Sequence, residues 1–255
     1  MQIATYNVRV DTEFDETWQW PFRSRYVLDL LTYHNWDLVG IQEVRPNQVA
    51  DLKTLTDYYC LAAERDGDGQ GEGLAILYKK TRLQLEDNGF FWLSDTPDRP
   101  SIHPEAGCPR ICLWGVFKEI ASDRSFLVID THLDHVSEAA RRSGMQVILQ
   151  QLAEKIAELP TVLLGDFNAL PEENVHHLVA QHFDNGKTLS EQSHYGPNGT
   201  FQDFDYQRPW SQLEEIDYLY LKGFTVNKTA VLTDACDRRF ASDHFPLAMT
   251  VKLNE

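Results

Sequence analysis

Polar side chains that could form an active site recur along the chain, each next to a short apolar segment. The residues that share this pattern are Asn7, Glu43, His132, Asp134, Asp166, Asn168, Asp217, Asp243 and His244. We predict that each lies at the carboxyl end of an apolar strand or just inside the loop that follows it. Because loops at one end of a sheet converge, these dispersed residues are expected to meet in a single cluster.

The donor atoms of this set are mainly carboxylate and amide oxygens, and no cysteine belongs to it. Oxygen donors suit a hard cation such as Mg²⁺ or Mn²⁺, which typically takes one or two carboxylates, several waters and a phosphate oxygen. The histidines and amides could then contact or protonate a phosphoryl group. The residue types therefore indicate metal-assisted hydrolysis of a phosphate ester.

Short strands and two helices must position these residues. Buried apolar runs and hairpin patterns predict strands at residues 3–8, 36–44, 74–78, 111–120, 125–131, 161–165, 216–221 and 247–253. Apolar positions at helical spacing predict helices at residues 24–33 and 144–159. Strands and helices alternate, with hairpins among them, which favours a mixed α/β sandwich.

Composition limits the class of protein. The chain has 255 residues, of which 42% are hydrophobic, so a disordered or fibrous protein is excluded. Because motifs from Asn7 to His244 must meet at one site, we interpret residues 1–255 as one domain. The net charge of −16 disfavours a broad surface for long nucleic acid. It does not exclude a phosphate substrate if a cation lies between the acids and the phosphate.

The sequence contains few features that indicate a cellular location. No run of about 18 apolar residues occurs, so no membrane span is expected, and the amino terminus lacks the pattern of a secretory signal. The four cysteines are too few and too scattered for a disulfide framework or a zinc cluster. We expect a cytoplasmic protein, and the sequence implies no protein partner.

Six sequence runs, in this order, resemble the endonuclease/exonuclease/phosphatase superfamily: IATYNV, GIQEV, DTHLDH, LLGDFNA, EIDYLYL and SDHFPL. They span nearly the whole chain, and THLDH followed by an arginine-bearing helix resembles the superfamily's bacterial deadenylase-like branch. The resemblance implies a four-layer α/β sandwich, in which two packed mixed β-sheets are flanked by helices. It also implies phosphoesterase chemistry that depends on a divalent metal.

The resemblance assigns roles motif by motif. Glu43 and Asp243 match metal ligands, and Asn7 matches the asparagine that supports the metal site and the scissile phosphate. Asp166 matches the aspartate that orients or deprotonates the attacking water. Asn168 matches the amide that binds a phosphate oxygen.

Two histidines complete the implied site. His244 would contact the phosphate, and Asp217 would hydrogen-bond this histidine, fix its tautomer and favour its cationic form. His132 matches a second histidine, either a proton donor to the leaving oxygen or a phosphate ligand. Glu72 occupies the place of a glutamate that would pair with His132, as Asp217 pairs with His244.

Two further features bear on the substrate. Arg110 stands just before a predicted strand, where its guanidinium could bind a phosphate in bidentate fashion. The stretch before it contains His103-Pro-Glu-Ala-Gly, where related bacterial sequences tend to carry a Trp-Asp element, and this departure weakens any analogy of substrate. Trp18 and Trp20 could stack on a base or cover a helix, and we favour the second interpretation.

The leading function is hydrolysis of a phosphodiester, such as a nucleotide or a short RNA or DNA end, by in-line attack of water. The alternative is a phosphatase for a small-molecule, sugar or lipid phosphate. A non-catalytic binding module on the same scaffold is a remote third. Acidic loops around the motifs disfavour long nucleic acid as the substrate, without excluding it.

Overall fold

Two six-stranded mixed sheets face each other in the computed structural model, which describes residues 1–254. Elements are numbered in chain order. From edge to edge, the first sheet consists of β11 (Phe224–Val231), β14 (Leu247–Leu253), β1 (Gln2–Asn7), β2 (Leu38–Val44), β4 (Gly73–Lys79) and β3 (Tyr58–Glu64). The second consists of β5 (Leu83–Trp92), β6 (Ile111–Glu119), β7 (Arg124–His132), β8 (Thr161–Asp166), β10 (Asp217–Lys222) and β9 (Asp184–Asn185). A separate hairpin joins β12 (Ala235–Cys236) and β13 (Arg239–Phe240).

Helices cover the outer face of each sheet. The first sheet packs against α1 (Trp20–His34) and α2 (Pro46–Leu52). The second packs against α3 (Glu138–Gln151), α4 (Ala153–Glu158) and α5 (Asn174–Val179), and the short α6 is Gly186–Leu189. A third apolar cluster fills the space between the sheets. The predicted four-layer α/β sandwich of two mixed sheets flanked by helices is therefore confirmed.

The helices differ in detail from the prediction. The segment predicted as one helix at 144–159 is two helices, because the backbone leaves helical geometry at Leu152 (φ −107°, ψ 12°). The first of them begins earlier, at Glu138, where the Ser137 hydroxyl accepts a hydrogen bond from the amide of Ala140. Within residues 1–254, no helix is long and apolar enough to cross a membrane.

The central strands become polar towards one end of the space between the sheets. Successive side chains alternate between the two faces of a strand, so Val162, Leu164 and Asp166 of β8 point to the same side. In the parallel pair β7–β8, His132 is opposite Asp166. The same end of the sandwich therefore collects the polar side chains, and the apolar core lies behind them.

One part of the strand-end prediction was wrong. Asp217 begins β10, and Asp243 and His244 precede β14, so these residues lie at amino ends and not at carboxyl ends. They reach the polar edge because their strands are antiparallel to the strands beside them. Asp217 is directly opposite Asp166, and β14 runs antiparallel to β1.

Candidate active site

Glu43 reaches the site through a distortion of β2. Regular alternation would turn its side chain to the outer face, where Ile41 and Val44 pack. Instead the pairing of β2 with β4 shifts register at this residue, and Glu43 has a φ of +62°. A bulge of this kind redirects one side chain without ending the strand. The Glu43 carboxylate consequently accepts hydrogen bonds from Asn7 Nδ2 and from the amide of Val10, both at 2.9 Å.

Asn7 joins the two sheets. Its buried amide nitrogen donates to Glu43 Oε1 in the first sheet and to Asp166 Oδ2 in the second, each at 2.9 Å. Ser242 Oγ donates to the Asn7 carbonyl at 2.8 Å and thereby links the segment before β14 to β1. Burial opposes the charged form of Glu43, but the hydrogen bonds from Asn7 and Val10, together with the charges of Arg9 and His244, outweigh burial, so the pKa of Glu43 lies below its ordinary value.

The LLGDFNA motif forms a tight turn after β8. Gly165 has a φ of +143°, and a Cβ at this position would lie 1.9 Å from the Thr131 carbonyl oxygen. The turn is closed by the backbone amide of Asn168, which donates to Asp166 Oδ1 at 2.8 Å. Burial and the neighbouring charge of Asp217 raise the pKa of Asp166 to about 7. A carboxylate of this pKa can exchange a proton near neutral pH.

His244 and Asp217 form a buried pair, with 2.8 Å between His244 Nδ1 and Asp217 Oδ2. Thr200 Oγ1 donates to the same carboxylate oxygen at 2.6 Å. Burial by itself would lower the pKa of His244, but the charge and hydrogen bond of Asp217 raise it to about 10. His244 is therefore cationic at neutral pH, and its Nε2 faces Asp166 Oδ2 at 3.8 Å.

His132 does not have the hydrogen bond to Glu72 that the resemblance implied. Its Nδ1 lies 3.8 Å from Glu72 Oε1, beyond hydrogen-bond distance. At its other nitrogen, Nε2 is 2.9 Å from Asn168 Nδ2, which also donates to the Leu133 carbonyl. Because Asn168 donates here, the proton of a neutral His132 ring resides on Nδ1.

Burial, together with the positive charges of Arg110 and Arg65, lowers the pKa of His132 well below its ordinary value. His132 is therefore neutral where His244 is charged. The two histidines flank Asp166, whose Oδ2 is 3.4 Å from His132 Nε2.

Asp243 lies on the side of the site where Arg9 reaches in. Arg9 Nη1 is 3.7 Å from Asp243 Oδ2, and the same guanidinium is held by Asp15 at 2.7 Å. Burial and the charge of Glu43 raise the pKa of Asp243. Two buried carboxylates this close carry negative charge that a cation would neutralise, and their oxygen donors fit Mg²⁺ or Mn²⁺.

Two groups of possible metal-ligating side chains lie at the centre of the site: Glu43 with His132 and Asp166, and Asp166 with Asp217 and His244. In each group the donor atoms lie within 4.8 Å of one another. For the part of the chain that the structure describes, Asp243 belongs to neither group.

A third group combines Cys108, Asp134 and His135. The Asp134 carboxylate is already occupied by the backbone amides of Gly107, Val136 and Ser137, at 2.8–2.9 Å. This aspartate therefore organises the loop after β7 and leaves the central cluster to the other residues.

Arg110 lies beside the group of Cys108, Asp134 and His135, and only 7% of its surface is exposed. Its Nη1 is 3.8 Å from Glu72 Oε1, and its Nη2 is 3.2 Å from His135 Nδ1. The two tryptophans are further from the centre. Trp20, the first residue of α1, is buried in the core, and Trp18 stacks on Phe204 with 4.5 Å between ring centroids.

The sequence interpretation missed three polar residues of this region: Arg9, Arg65 and Thr200. Arg9 follows Asn7 by two residues, and its position beside a candidate ligand was a usable signal. Arg65 opens the glycine-rich turn between β3 and β4, where it bonds Glu72 at 2.7 Å. Nothing local distinguishes Thr200, because its contact with Asp217 depends on the path of a long loop.

The chain is similar to known proteins in both sequence and structure. The sequence model of the Endonuclease/Exonuclease/phosphatase family matches residues 4–244. A functionally unknown conserved protein from Enterococcus faecalis V583 is 60% identical, with a TM-score of 0.97 over 100% of both chains. The mannosyl-6-phosphatase of Bacteroides thetaiotaomicron VPI-5482 is 30% identical, with a TM-score of 0.92 over 99% of this chain and 100% of its own.

A curated relative is the 2',5'-phosphodiesterase 12 of Homo sapiens, 24% identical over 242 residues. The match covers 78% of this chain but only 38% of the length of that relative.

Proposed function

The chain belongs to the endonuclease/exonuclease/phosphatase family and is a phosphoesterase of that family, and from this premise we propose that it hydrolyses its phosphate ester with the help of Mg²⁺ or Mn²⁺. The observation that carries the proposal is the bridge from Asn7 to both Glu43 and Asp166, because it joins a candidate metal ligand to a candidate base across the two sheets. The cytoplasmic location and the deadenylase-like branch stay predictions.

Glu43 and Asp243 would hold the metal, with Asn7 in support. Bound there, a divalent cation would neutralise developing charge on the phosphoryl oxygens. Arg9 limits the net negative charge of these carboxylates, since it contacts Asp243 and is itself fixed by Asp15.

The remaining residues divide the proton and charge chemistry. Asp166, whose pKa is about 7, would accept a proton from the attacking water. His244, kept cationic by Asp217, would stabilise charge on the phosphoryl group. Neutral His132 would donate from Nδ1 to a phosphate oxygen, and Arg110 would add a fixed guanidinium. Asn168 would bind a phosphate oxygen by turning one Nδ2 hydrogen away from its partners in the free site, His132 Nε2 and the Leu133 carbonyl.

The substrate has two candidates. The sequence favoured a phosphodiester, and the relationship to 2',5'-phosphodiesterase 12 supports that choice. The similarity to the mannosyl-6-phosphatase supports the alternative, a phosphate monoester of a small molecule, because it extends over the whole chain at 30% identity.

The test measures hydrolysis of p-nitrophenyl phosphate, bis(p-nitrophenyl) phosphate and poly(A) with Mg²⁺, with Mn²⁺ and with EDTA. We expect hydrolysis of at least one ester that EDTA abolishes and either metal restores. Asp166→Asn should lower kcat by about a hundredfold or more, because it removes the proton acceptor. Asp184→Asn, a change at an exposed aspartate of β9, is the matched control and should leave the rate unchanged.

Hydrolysis that persists in EDTA would refute the metal requirement. Near-normal turnover by Asp166→Asn would refute the assignment of the base. No metal-dependent hydrolysis of any ester would favour a binding module.

A further inference from the structure

Two buried side chains, Arg110 and His132, and the half-buried Arg65 line one small cleft next to the candidate site. The cleft is lined by Arg65, Glu72, Arg110 and His132. Within residues 1–254, four buried nitrogens of these side chains have no hydrogen-bond partner: Arg65 Nε, Arg110 Nε, Arg110 Nη1 and His132 Nδ1. Buried donors are normally paired, so four unpaired donors around one cleft indicate a missing acceptor.

The backbone holds this arrangement in place. Arg65 and Glu72 face each other across the β3–β4 hairpin, where the Arg65 amide donates to the Glu72 carbonyl at 2.9 Å. Trp92 Nε1 donates to the Arg65 carbonyl at 2.6 Å, which ties the hairpin to the second sheet. Arg110 immediately precedes β6, and the next residue, Ile111, packs in the core between the sheets.

Glu72 is the acid that faces both arginines and acts as their counter-ion when ionised; burial and the charge of Glu43 raise its pKa to about 7. Its Oε1 is 2.7 Å from Arg65 Nη1, 3.8 Å from Arg110 Nη1 and 3.8 Å from His132 Nδ1. One carboxylate thus faces two guanidinium groups. The cleft retains an excess of positive charge in a chain whose net charge is −16.

We propose that Arg65 and Arg110 form an anion subsite for the second negative charge of a phosphate monoester, and that Arg65 is the residue that determines this specificity. The inference rests on the proposed function, because it assumes that a phosphoryl group binds at His132 and Asn168. A monoester carries two ionised oxygens near neutral pH and a diester carries one. A guanidinium fork next to the scissile phosphate therefore favours the monoester.

The experiment compares kcat/KM for p-nitrophenyl phosphate and for bis(p-nitrophenyl) phosphate in the wild type, Arg65→Gln and Glu72→Gln. Arg65→Gln should lower the monoester value by about tenfold to a hundredfold, and should change the diester value less than about threefold. Glu72→Gln should bind inorganic phosphate more tightly than the wild type in calorimetry, because it removes the competing carboxylate. Arg25→Gln on α1 is the control, because this arginine side chain is 88% exposed. It should change neither the ratio of the two kcat/KM values nor the affinity for inorganic phosphate.

The outcomes separate the alternatives. Equal losses on both esters in Arg65→Gln would overturn the subsite, as would a wild type that hydrolyses only the diester. Loss of kcat on both esters in Glu72→Gln would mean that Glu72 orients His132, and would overturn its role as counter-ion. If Arg65→Gln fails to fold, the double variant Arg65→Gln/Glu72→Gln replaces it, because it also removes the acid that loses its partner. The double variant must still lose the preference for the monoester.

Failure of the proposed function is distinguishable from failure of the subsite. If the wild type hydrolyses no ester, the function fails, and calorimetry with inorganic phosphate tests the subsite alone. Phosphate binding that weakens in Arg65→Gln would then support the subsite, and equal binding, or none in either protein, would overturn it.

Discussion

At the scale of single residues, the candidate site separates two histidines by their neighbours. His244 has Asp217 at hydrogen-bond distance and is charged, whereas His132 has arginines nearby and is neutral. Both rings are buried in the same cluster, so burial alone does not distinguish them. The charge of the neighbouring side chains distinguishes them, since it is negative beside His244 and positive beside His132.

Asp217→Asn should lower the pKa of His244 from about 10 towards its ordinary value of 6.5, because only the charges of Asp243 and Asp166 would then oppose burial. If cationic His244 is required, the rate of the variant should fall as pH rises through this lower pKa, while the wild type keeps its rate to alkaline pH. Titration of the imidazole by NMR, together with the pH profile of kcat/KM, measures both effects. Identical profiles for variant and wild type would contradict the role.

Asp130 is a buried acid that the chemistry does not use. It lies between the sheets, where it accepts a hydrogen bond from Gln42 Nε2 at 2.7 Å, and burial raises its pKa well above 3.8. The folded state therefore keeps a proton that the unfolded chain releases above about pH 4.

Stability from this proton is complete below about pH 4 and is lost as pH rises towards the folded pKa of Asp130. Asp130→Asn has no such proton to lose, so it should gain stability relative to the wild type as pH increases, by up to about 1.4 kcal/mol per pH unit. Urea unfolding at several pH values measures the difference. A constant difference across the range would contradict a raised pKa.

At the scale of elements, backbone conformation decides which side chains reach the site. The bulge at Glu43 turns a carboxylate inward from a position that regular pairing would point outward. The turn after β8 depends in the same way on Gly165, whose φ is unfavourable for other residues and whose hydrogen faces a carbonyl oxygen.

Gly165→Ala should therefore destabilise the protein by at least about 1–3 kcal/mol and lower its activity, because β7 and β8 must separate to admit the methyl group. Gly69→Ala is the matched control. Gly69 also has a positive φ, of +79°, but a Cβ there would have nothing within 4 Å, so only the conformational cost applies. Thermal unfolding of both variants distinguishes the two costs, and equal losses would show that the close contact is unimportant.

At the scale of the whole molecule, the charge of −16 sets which phosphate esters approach the site easily. Long polyanions meet repulsion over their whole length, whereas a small ester meets only the local cluster and its cations. Overall charge and local charge therefore act in opposite directions on phosphate.

Hydrolysis of poly(A), if it occurs, should accelerate when KCl is raised from about 50 to about 300 mM, because salt screens the repulsion. Hydrolysis of p-nitrophenyl phosphate should change little or decline. A protein that binds nucleic acid through a basic surface would show a steep decrease for poly(A) instead. Such a decrease here would reveal a basic groove and contradict the prediction that the overall charge disfavours long substrates.

The sequence by itself determined the family, the two-sheet sandwich and the residues to examine. Motifs such as GIQEV, LLGDFNA and SDHFPL identify Glu43, Asp166 and His244 through residue type and order, which are local properties. Strands without strong alternation or motifs, such as β3, β5 and β11, were not predicted, because tertiary packing and not local pattern stabilises them.

Only the tertiary structure decided how these residues relate. Antiparallel pairing, which a local pattern does not specify, brought Asp217 to Asp166 from the amino end of its strand. Hairpin and loop paths placed Arg65 against Glu72 and left His132 without the predicted hydrogen bond. The physical reason is that protonation state and specificity depend on distances of a few ångströms between residues far apart in the chain. Those distances are set by strand register, a bulge and a glycine turn.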